Sequence, residues 1–343
     1  MPDFPAPDDP RPPALHHDRL SAREVFIAPR RAIRPSDLGD GQPPPCPFCA
    51  GHEHLTPAAV RRWPEDSSTP WKARIIPNRY PVVEELPEHQ PVAGPRGGEP
   101  KAVIRPAHGL HEVIVEAAAH VDSILDIAPA DWLGVWELSR QRLADLADRH
   151  DLAWSTLFKN GGLAAGASLA HLHSQLIAID HVPPTIRAKC QQLATAPELF
   201  QRTIADADAD GRILCRRGDL VALVPAAPRQ PFEVWLVTES AAAFFHAASP
   251  TQLEAVASLT HAAVAALQRL VPGASFNWWL HQFPSTAESA TRQLAPHWHW
   301  HLEILPRLTP LAGFELGTGC HITTVPPRNA AAALRATGCW DDG

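Results

Sequence analysis

Two runs of alternating histidines, His171-Leu-His173-Ser-Gln175 and His297-Trp-His299-Trp-His301, constrain this chain more than any other feature, because each follows the same kind of prelude. His-Glu-Val-Ile-Val-Glu at 111–116 is echoed by Phe-Glu-Val-Trp-Leu-Val at 232–237, and each echo leads into a helical stretch before its histidine run. The first of these helices is written as Leu, Val and Trp at helical spacing between Asp131 and His150. The stretch from Glu112 to His173 is nearly as long as that from Glu233 to His299, so one unit is used twice. This predicts an α+β fold: a tandem duplication in which antiparallel sheets carry helices packed on one side. The expected division is a mobile Pro-rich arm over 1–23, a catalytic N-terminal unit over 24–185 and a C-terminal unit over 186–343.

Composition then removes several classes of function. A net charge of −7 gives no general electrostatic reason to bind nucleic acid or a membrane surface. The start lacks the charged-then-apolar layout of a signal peptide, and no run approaches the roughly 18 apolar residues of a spanning helix, which predicts a cytoplasmic protein. Of the six cysteines only Cys46 and Cys49 lie close together, which argues against a disulfide framework. Alone, that pair fits a redox couple or half a zinc site.

The chemistry concentrates between Phe158 and Gln175. Gly161, Gly162, Gly166 and Ser168 keep the chain thin just ahead of the histidines, so that backbone N–H groups can approach an anion such as phosphate. If the next run is a strand, His171, His173 and Gln175 project from one face. A single histidine there is more often a hydrogen-bonded structural residue, but three polar groups on one face of an apolar strand ask for chemistry. A neutral imidazole can attack phosphorus near pH 7. A neighbouring amide can hold a phosphoryl oxygen without offering a proton route to water, which favours transfer over hydrolysis.

His-x-His-x-Gln after a run of small residues resembles the galactose-1-phosphate uridylyltransferase branch of the histidine-triad superfamily. The likeness extends to Cys46-Pro-Phe-Cys49, Arg74-Ile-Ile-Pro-Asn78-Arg-Tyr-Pro, the strand from His111 and the closing histidine-rich strand. It implies a nucleotidyltransferase that carries the nucleotide on His173, with Gln175 steadying the phosphoryl oxygens. Asn160 and Ser168 fall at the family's phosphate contacts, Asn78 at its nucleoside contact, and Arg31 and Arg34 at its paired arginines. A structural zinc would be held by Cys46, Cys49, His120 and His171, with His52 and His54 as rival ligands. The resemblance also points to a candidate second metal on His281, His299 and His301. The glutamate that completes that site in the family is missing from Val182 to Lys189, where Asp180 is the nearest acid.

Implied partners are a nucleoside diphosphate sugar and a sugar 1-phosphate, and family members are commonly homodimers. Glu315 matches a sugar-contacting glutamate, but His321 stands where the family has a glutamine, which turns the reading away from galactose. The first expectation is therefore UDP-glucose:hexose-1-phosphate uridylyl transfer. The alternatives are AMP transfer to phosphate, as in the ADP-glucose phosphorylase relatives, and a non-catalytic zinc-stabilised nucleotide-binding protein.

Overall fold

A computed structural model describes residues 12–18, 20–33, 45–86, 104–285 and 289–341. Strands β1 (Ala14–His17) and β2 (Glu24–Ile27) lead into β3 (Arg61–Trp63), β4 (Ala73–Pro77), β5 (Ile104–Pro106) and β6 (Gly109–Val115). Helix α1 (Pro129–Ala147) follows, then β7 (Trp154–Gly161), β8 (His173–Ile179), α2 (Pro184–Thr195) and α3 (Leu199–Ala209). The second half comprises β9 (Ile213–Arg217), β10 (Leu220–Leu223), β11 (Val234–Thr238), α4 (Pro250–Leu270), β12 (Phe276–His281), α5 (Ser289–Arg292) and β13 (His301–Pro306). It ends in α6 (Gly313–Thr318) and α7 (Pro327–Ala336).

Ten of these strands form one antiparallel sheet in the order β3-β4-β6-β8-β7-β12-β13-β11-β10-β9. Read from either edge the plan is the same: a hairpin, the strand before the long helix, the histidine strand, and the strand after the helix. The two copies join where β7 pairs with β12. Duplication is therefore written in the topology as well as in the sequence.

The register corrects the sequence echo, by one residue along β6 and β11 and by two along the histidine runs. Val115 pairs with His173 in the first half and Val237 pairs with His301 in the second. The counterpart of His173 is thus His301, not His299.

One sheet face is apolar and takes the long helices. Ile114, Leu157, Leu176, Trp278, Leu280 and Leu302 are buried there against Trp132, Val135, Val256 and Leu259 from α1 and α4. Each such aliphatic side chain contributes about 1.5–3 kcal/mol of hydrophobic stabilisation. Helix α4 starts where it does because Ser249 Oγ accepts from the Gln252 amide at 3.2 Å while Gln252 Oε1 accepts from the Ser249 amide at 3.0 Å, with Pro250 in the first turn. In the C-terminal half the opposite face is covered as well, since Ile204 and Ala207 of α3 pack on Val221, Leu223 and Val237.

Where the sequence suggested a mobile arm over 1–23, residues 14–17 form a strand between β2 and β5. Leu15 supplies the reason, because it is buried against Val83, Ala107 and Ile179. Residues 1–11 lie outside the described chain.

Candidate active site and metal centre

The face away from α1 and α4 carries the polar residues. β8 sets His173 and Gln175 on it, and the β7–β8 register, continued from Phe158 opposite Gln175, brings Asn160 level with His173. One strand further, Asn277 pairs with Asn160. Its amide donates to Asn160 Oδ1 at 2.8 Å and to the Ala165 carbonyl at 2.9 Å, tying the strand to the small-residue loop. Asn277 is a residue the sequence reading missed; only the duplication, which puts β12 beside β7, could have found it.

The loop itself turns through Gly162 and Gly166, at φ +87° and +86°. A Cβ on Gly162 would lie 2.4 Å from Ser275 Oγ. Gly162→Ala is expected to lose about 1–3 kcal/mol of unfolding free energy in urea titration, from the positive φ and the clash together.

His173 Nδ1 lies 2.8 Å from the His171 carbonyl. An N–H at Nδ1 satisfies that oxygen and puts the ring's lone pair on Nε2. On the reverse face, fully buried Lys159 donates to the His173 carbonyl at 2.9 Å and pairs with Glu116, which also accepts from Ser174. The backbone of β8 at His173 is thus held from behind by a buried ion pair.

Gln175 is fixed by His111 of the neighbouring strand β6. His111 Nδ1 accepts from the Val82 amide at 3.1 Å, so Nε2 carries the proton and donates to Gln175 Oε1 at 2.9 Å. The Gln175 NH₂ is left as the end that can meet an incoming oxygen. Asn78 Nδ2 stands 3.0 Å from the same His111 nitrogen, while Asn78 Oδ1 accepts from the Tyr80 amide at 2.8 Å. Arg31 donates to the Tyr80 carbonyl at 2.7 Å, so it reaches this same loop. Arg34 lies outside the described residues. Ser168 follows Gly166 at the end of the small-residue loop. Glu315 is differently engaged: its two oxygens accept from the amides of Ala312 at 2.8 Å and Ile322 at 3.3 Å, capping α6 and pinning the turn after it.

Cys46, Cys49, His120 and His171 converge beside His173, with their ligand atoms within 4.8 Å of one another. His171 Nδ1 is 3.5 Å from Cys46 Sγ and 3.6 Å from Cys49 Sγ, and His120 Nδ1 is 3.5 Å from Cys49 Sγ. Bonds of about 2.3 Å to sulfur and 2.0–2.1 Å to nitrogen at a tetrahedral angle leave ligand atoms roughly 3.6 Å apart, so the set fits a four-coordinate ion. His171 Nε2 donates to the Ala117 carbonyl at 2.9 Å, which orients Nδ1 as the donor atom. Burial together with the neighbouring Cys46 pushes the Cys49 thiol up to about 11, a conflict that a bound cation relieves. His52 lies outside this converging set: its Nδ1 lies 2.7 Å from the Cys46 carbonyl and braces the loop, while His54 is exposed. Phe48, between the two cysteines, packs its ring 5.3 Å from that of His173.

The second constellation differs from the set expected. His281, His301 and Glu303 come together, whereas His299 turns away, its Nδ1 2.6 Å from the Thr238 carbonyl and its Nε2 3.0 Å from Gln201 Nε2. The missing carboxylate comes from β13 itself, and Asp180 is engaged by Arg105 and His181. Lys189 Nζ stands in the middle of the cluster, 2.8 Å from His281 Nδ1, 2.7 Å from His301 Nε2 and 2.5 Å from Glu303 Oε1. An amino group thus stands among the three side chains, within hydrogen-bond distance of each.

These buried histidines also set an acid limit. Burial pulls His171 down to about 4, and burial with the Lys189 charge pulls His281 down to about 3, from the usual 6.5. The unfolded chain then binds more protons, so stability falls as pH drops from about 6.5 towards those values. Glu24 adds to this lower down: burial favours its neutral form, but His181 and Arg187 outweigh that and bring it to about 2, so its contribution is lost between about 4.5 and 2. His181, raised because Asp180 and Glu24 outweigh its burial, works the other way and loses its contribution as pH rises past its folded value. The expected result is a thermal midpoint that falls continuously below pH 6.5, read by circular dichroism.

Against known proteins, a family model for the galactose-1-phosphate uridyl transferase N-terminal domain matches residues 19–183, and one described only as a domain of unknown function (DUF4921) matches residues 109–336. The chain is 29% identical over 334 residues to ADP-glucose phosphorylase of Arabidopsis thaliana, covering 94% of this chain and 92% of that protein. It is 23% identical over 336 residues to galactose-1-phosphate uridylyltransferase of Thermotoga maritima, covering 94% and 98%. The crystal structure of the Arabidopsis ADP-glucose phosphorylase with bound ADP-glucose superposes with a TM-score of 0.75 at 27% identity, over 95% of this chain and 98% of that one. A solved uridylyltransferase at 24% identity, with a TM-score of 0.74 over 94% and 98% of the two chains, has the same fold.

Fold and relatives together define an enzyme of the nucleotidyltransferase class. The chain belongs to the family described as DUF4921, whose model spans residues 109–336, and it is similar to galactose-1-phosphate uridylyltransferase and to ADP-glucose phosphorylase along almost its whole length. Among the described residues no helix is long and apolar enough to cross a membrane.

Proposed function

We propose that this enzyme moves a nucleoside monophosphate from a nucleoside diphosphate sugar to a phosphate acceptor by way of a nucleotidyl-His173 intermediate, with ADP-glucose as donor and inorganic phosphate as acceptor. The observation that carries the covalent route is the His173 ring, with Nδ1 spent on the His171 carbonyl and the lone pair on Nε2. Nε2 attacks the α-phosphorus, the bond to the bridging oxygen breaks, and sugar 1-phosphate leaves with the electron pair. The positive charge on the ring is shared with the His171 carbonyl through Nδ1–H. An oxygen of the acceptor phosphate then attacks the same phosphorus, the N–P bond breaks and His173 is regenerated. Gln175, held by His111, offers its NH₂ to a phosphoryl oxygen in both steps. Asn160, Ser168, Arg31 and Arg34 are assigned to phosphate, and Asn78 to the nucleoside.

Cys46, Cys49, His120 and His171 would hold zinc, whose role would be to fix β8 and Phe48 around His173 without entering the reaction. Sequence favoured uridylyl transfer first. The preference for adenosine rests on the 29% identity to ADP-glucose phosphorylase along almost the whole chain and on His321, which stands where a galactose-reading glutamine is expected. We assign catalysis to the N-terminal unit within 24–185, and propose Glu315 as a sugar contact that must first release its capping bonds.

The deciding experiment incubates the purified protein with ADP-glucose or UDP-glucose, each labelled in the α-phosphate. Acid-labile label on the protein from ADP-glucose, discharged by phosphate, supports the proposal. Label from UDP-glucose discharged by galactose 1-phosphate restores the uridylyl reading, and no label from either sinks the transfer mechanism.

A further inference from the structure

The C-terminal half repeats the catalytic half down to the histidine ring. His301 occupies the position of His173, and its Nδ1 lies 2.8 Å from the His299 carbonyl, the same bond at the same length as in the first half. Its lone pair therefore also falls on Nε2. The next polar residue along the strand differs. Glu303 stands two residues after His301, as Gln175 stands two after His173, so a carboxylate replaces the amide on that face. A carboxylate repels phosphate and attracts a cation.

The cation present is Lys189. An ammonium has three protons and no acceptor, and here three acceptors receive them: His281 Nδ1, His301 Nε2 and Glu303 Oε1, all at 2.5–2.8 Å. Glu303 Oε2 is taken by Arg229 at 2.6 Å, and Arg229 also pairs with Glu233, so two half-buried cations face two buried carboxylates. The two imidazole nitrogens and one carboxylate oxygen are the donor set of a His₂Glu divalent-metal site. His299, which would have made a fourth ligand, is tied to Thr238 and Gln201 and stacks on Phe200 at 5.0 Å.

We infer that Lys189 is a built-in cation: its ammonium takes the place of a divalent metal between His281, His301 and Glu303, and by capping His301 Nε2 it also keeps the second histidine strand from acting as a nucleophile. The lengths favour this reading, because 2.5–2.8 Å is hydrogen-bond spacing and metal bonds to these atoms are about 2.0–2.2 Å. The placement also gives Lys189 a mechanical role. It rides on α2, the helix that leaves the catalytic strand, and its contacts fasten that helix onto β12 and β13 of the other half.

The test is a metal count on the full chain. Wild type, His281→Asn, Lys189→Ala and Lys189→Met are saturated with cobalt, desalted, and measured by mass spectrometry of the metal and by visible absorption. Wild type and His281→Asn should hold the same amount. Lys189→Ala and Lys189→Met should hold about one further equivalent per chain, absorbing without a thiolate charge-transfer band, and the double variant Lys189→Ala/His281→Asn should lose it again. Wild type holding an equivalent that His281→Asn removes would overturn the inference. So would a Lys189 variant with wild-type circular dichroism that binds no more metal than wild type. The readout is a difference between variants, so it stands whether or not the cysteine site is loaded and whichever nucleotide the enzyme uses.

Discussion

Replacing His173 by alanine is expected to lower turnover on the order of ten-thousand-fold or more and to leave no acid-labile nucleotide on the protein. The size follows from the route. A covalent nucleotidyl-histidine divides one displacement between two phosphate anions into two attacks, each with the nucleophile already in place, and alanine removes both at once. Residual activity would have to come from direct attack by the acceptor across the Gln175 and Asn160 side of the site. The fold should survive, because His173 is only half-buried and the neighbouring Leu172 and Leu176 carry the packing of β8. His173→Gly adds a sharper measurement, since it leaves room for free imidazole to occupy the ring's position. Imidazole should restore part of the turnover and itself become nucleotidylated, and a variant within tenfold of wild type without imidazole would end the covalent proposal.

Gln175→Ala should act more weakly, because it removes stabilisation and keeps the nucleophile. One donor to a developing oxyanion is worth about 10²–10³ in rate. His173 and Gln175 thus separate by the size of the effect and by whether the labelled intermediate still forms.

What the chain reveals before folding depends on whether a residue's role is local. The period-2 run from His171 to Gln175 states its own face, and the small residues before it state a close approach, so the candidate site could be read from the sequence. The duplication was also legible, but its register was not. Matching Glu112 to Glu233 slips the pairing by one residue, and in a strand one residue is a change of face. Only the hydrogen-bonded partners Val115–His173 and Val237–His301 fix it. Lys189 was invisible for a different reason. It reaches its partners from a helix about a hundred residues upstream, and in sequence it reads as a polar residue on an amphipathic surface. Asn277 and His111 share that difficulty, since each acts by standing across a strand from a residue that is easy to recognise.

Cys49→Ser is expected to release the metal and lower the thermal midpoint by about 5–10 °C, on the view that a four-ligand site contributes several kcal/mol and that a chain of this size shifts by roughly 1–2 °C per kcal/mol. Serine is nearly the same size, so the loss comes from replacing a thiolate ligand by a hydroxyl. The consequence for catalysis is indirect but definite. The cysteine loop carries Phe48 onto the His173 ring, and His171 sits one turn of the pleat before it, so the loss of one ligand loosens two of the surfaces that hold the nucleophile. Turnover should therefore fall while the variant still accepts label from the donor, more slowly than wild type. His120→Ala tests the same site from its exposed side, where packing is least disturbed. It should reduce metal content with a smaller change in midpoint. If both variants keep a full equivalent of metal, or if Cys49→Ser loses its metal at unchanged midpoint and rate, the site is not the support for β8 that its position beside His173 implies.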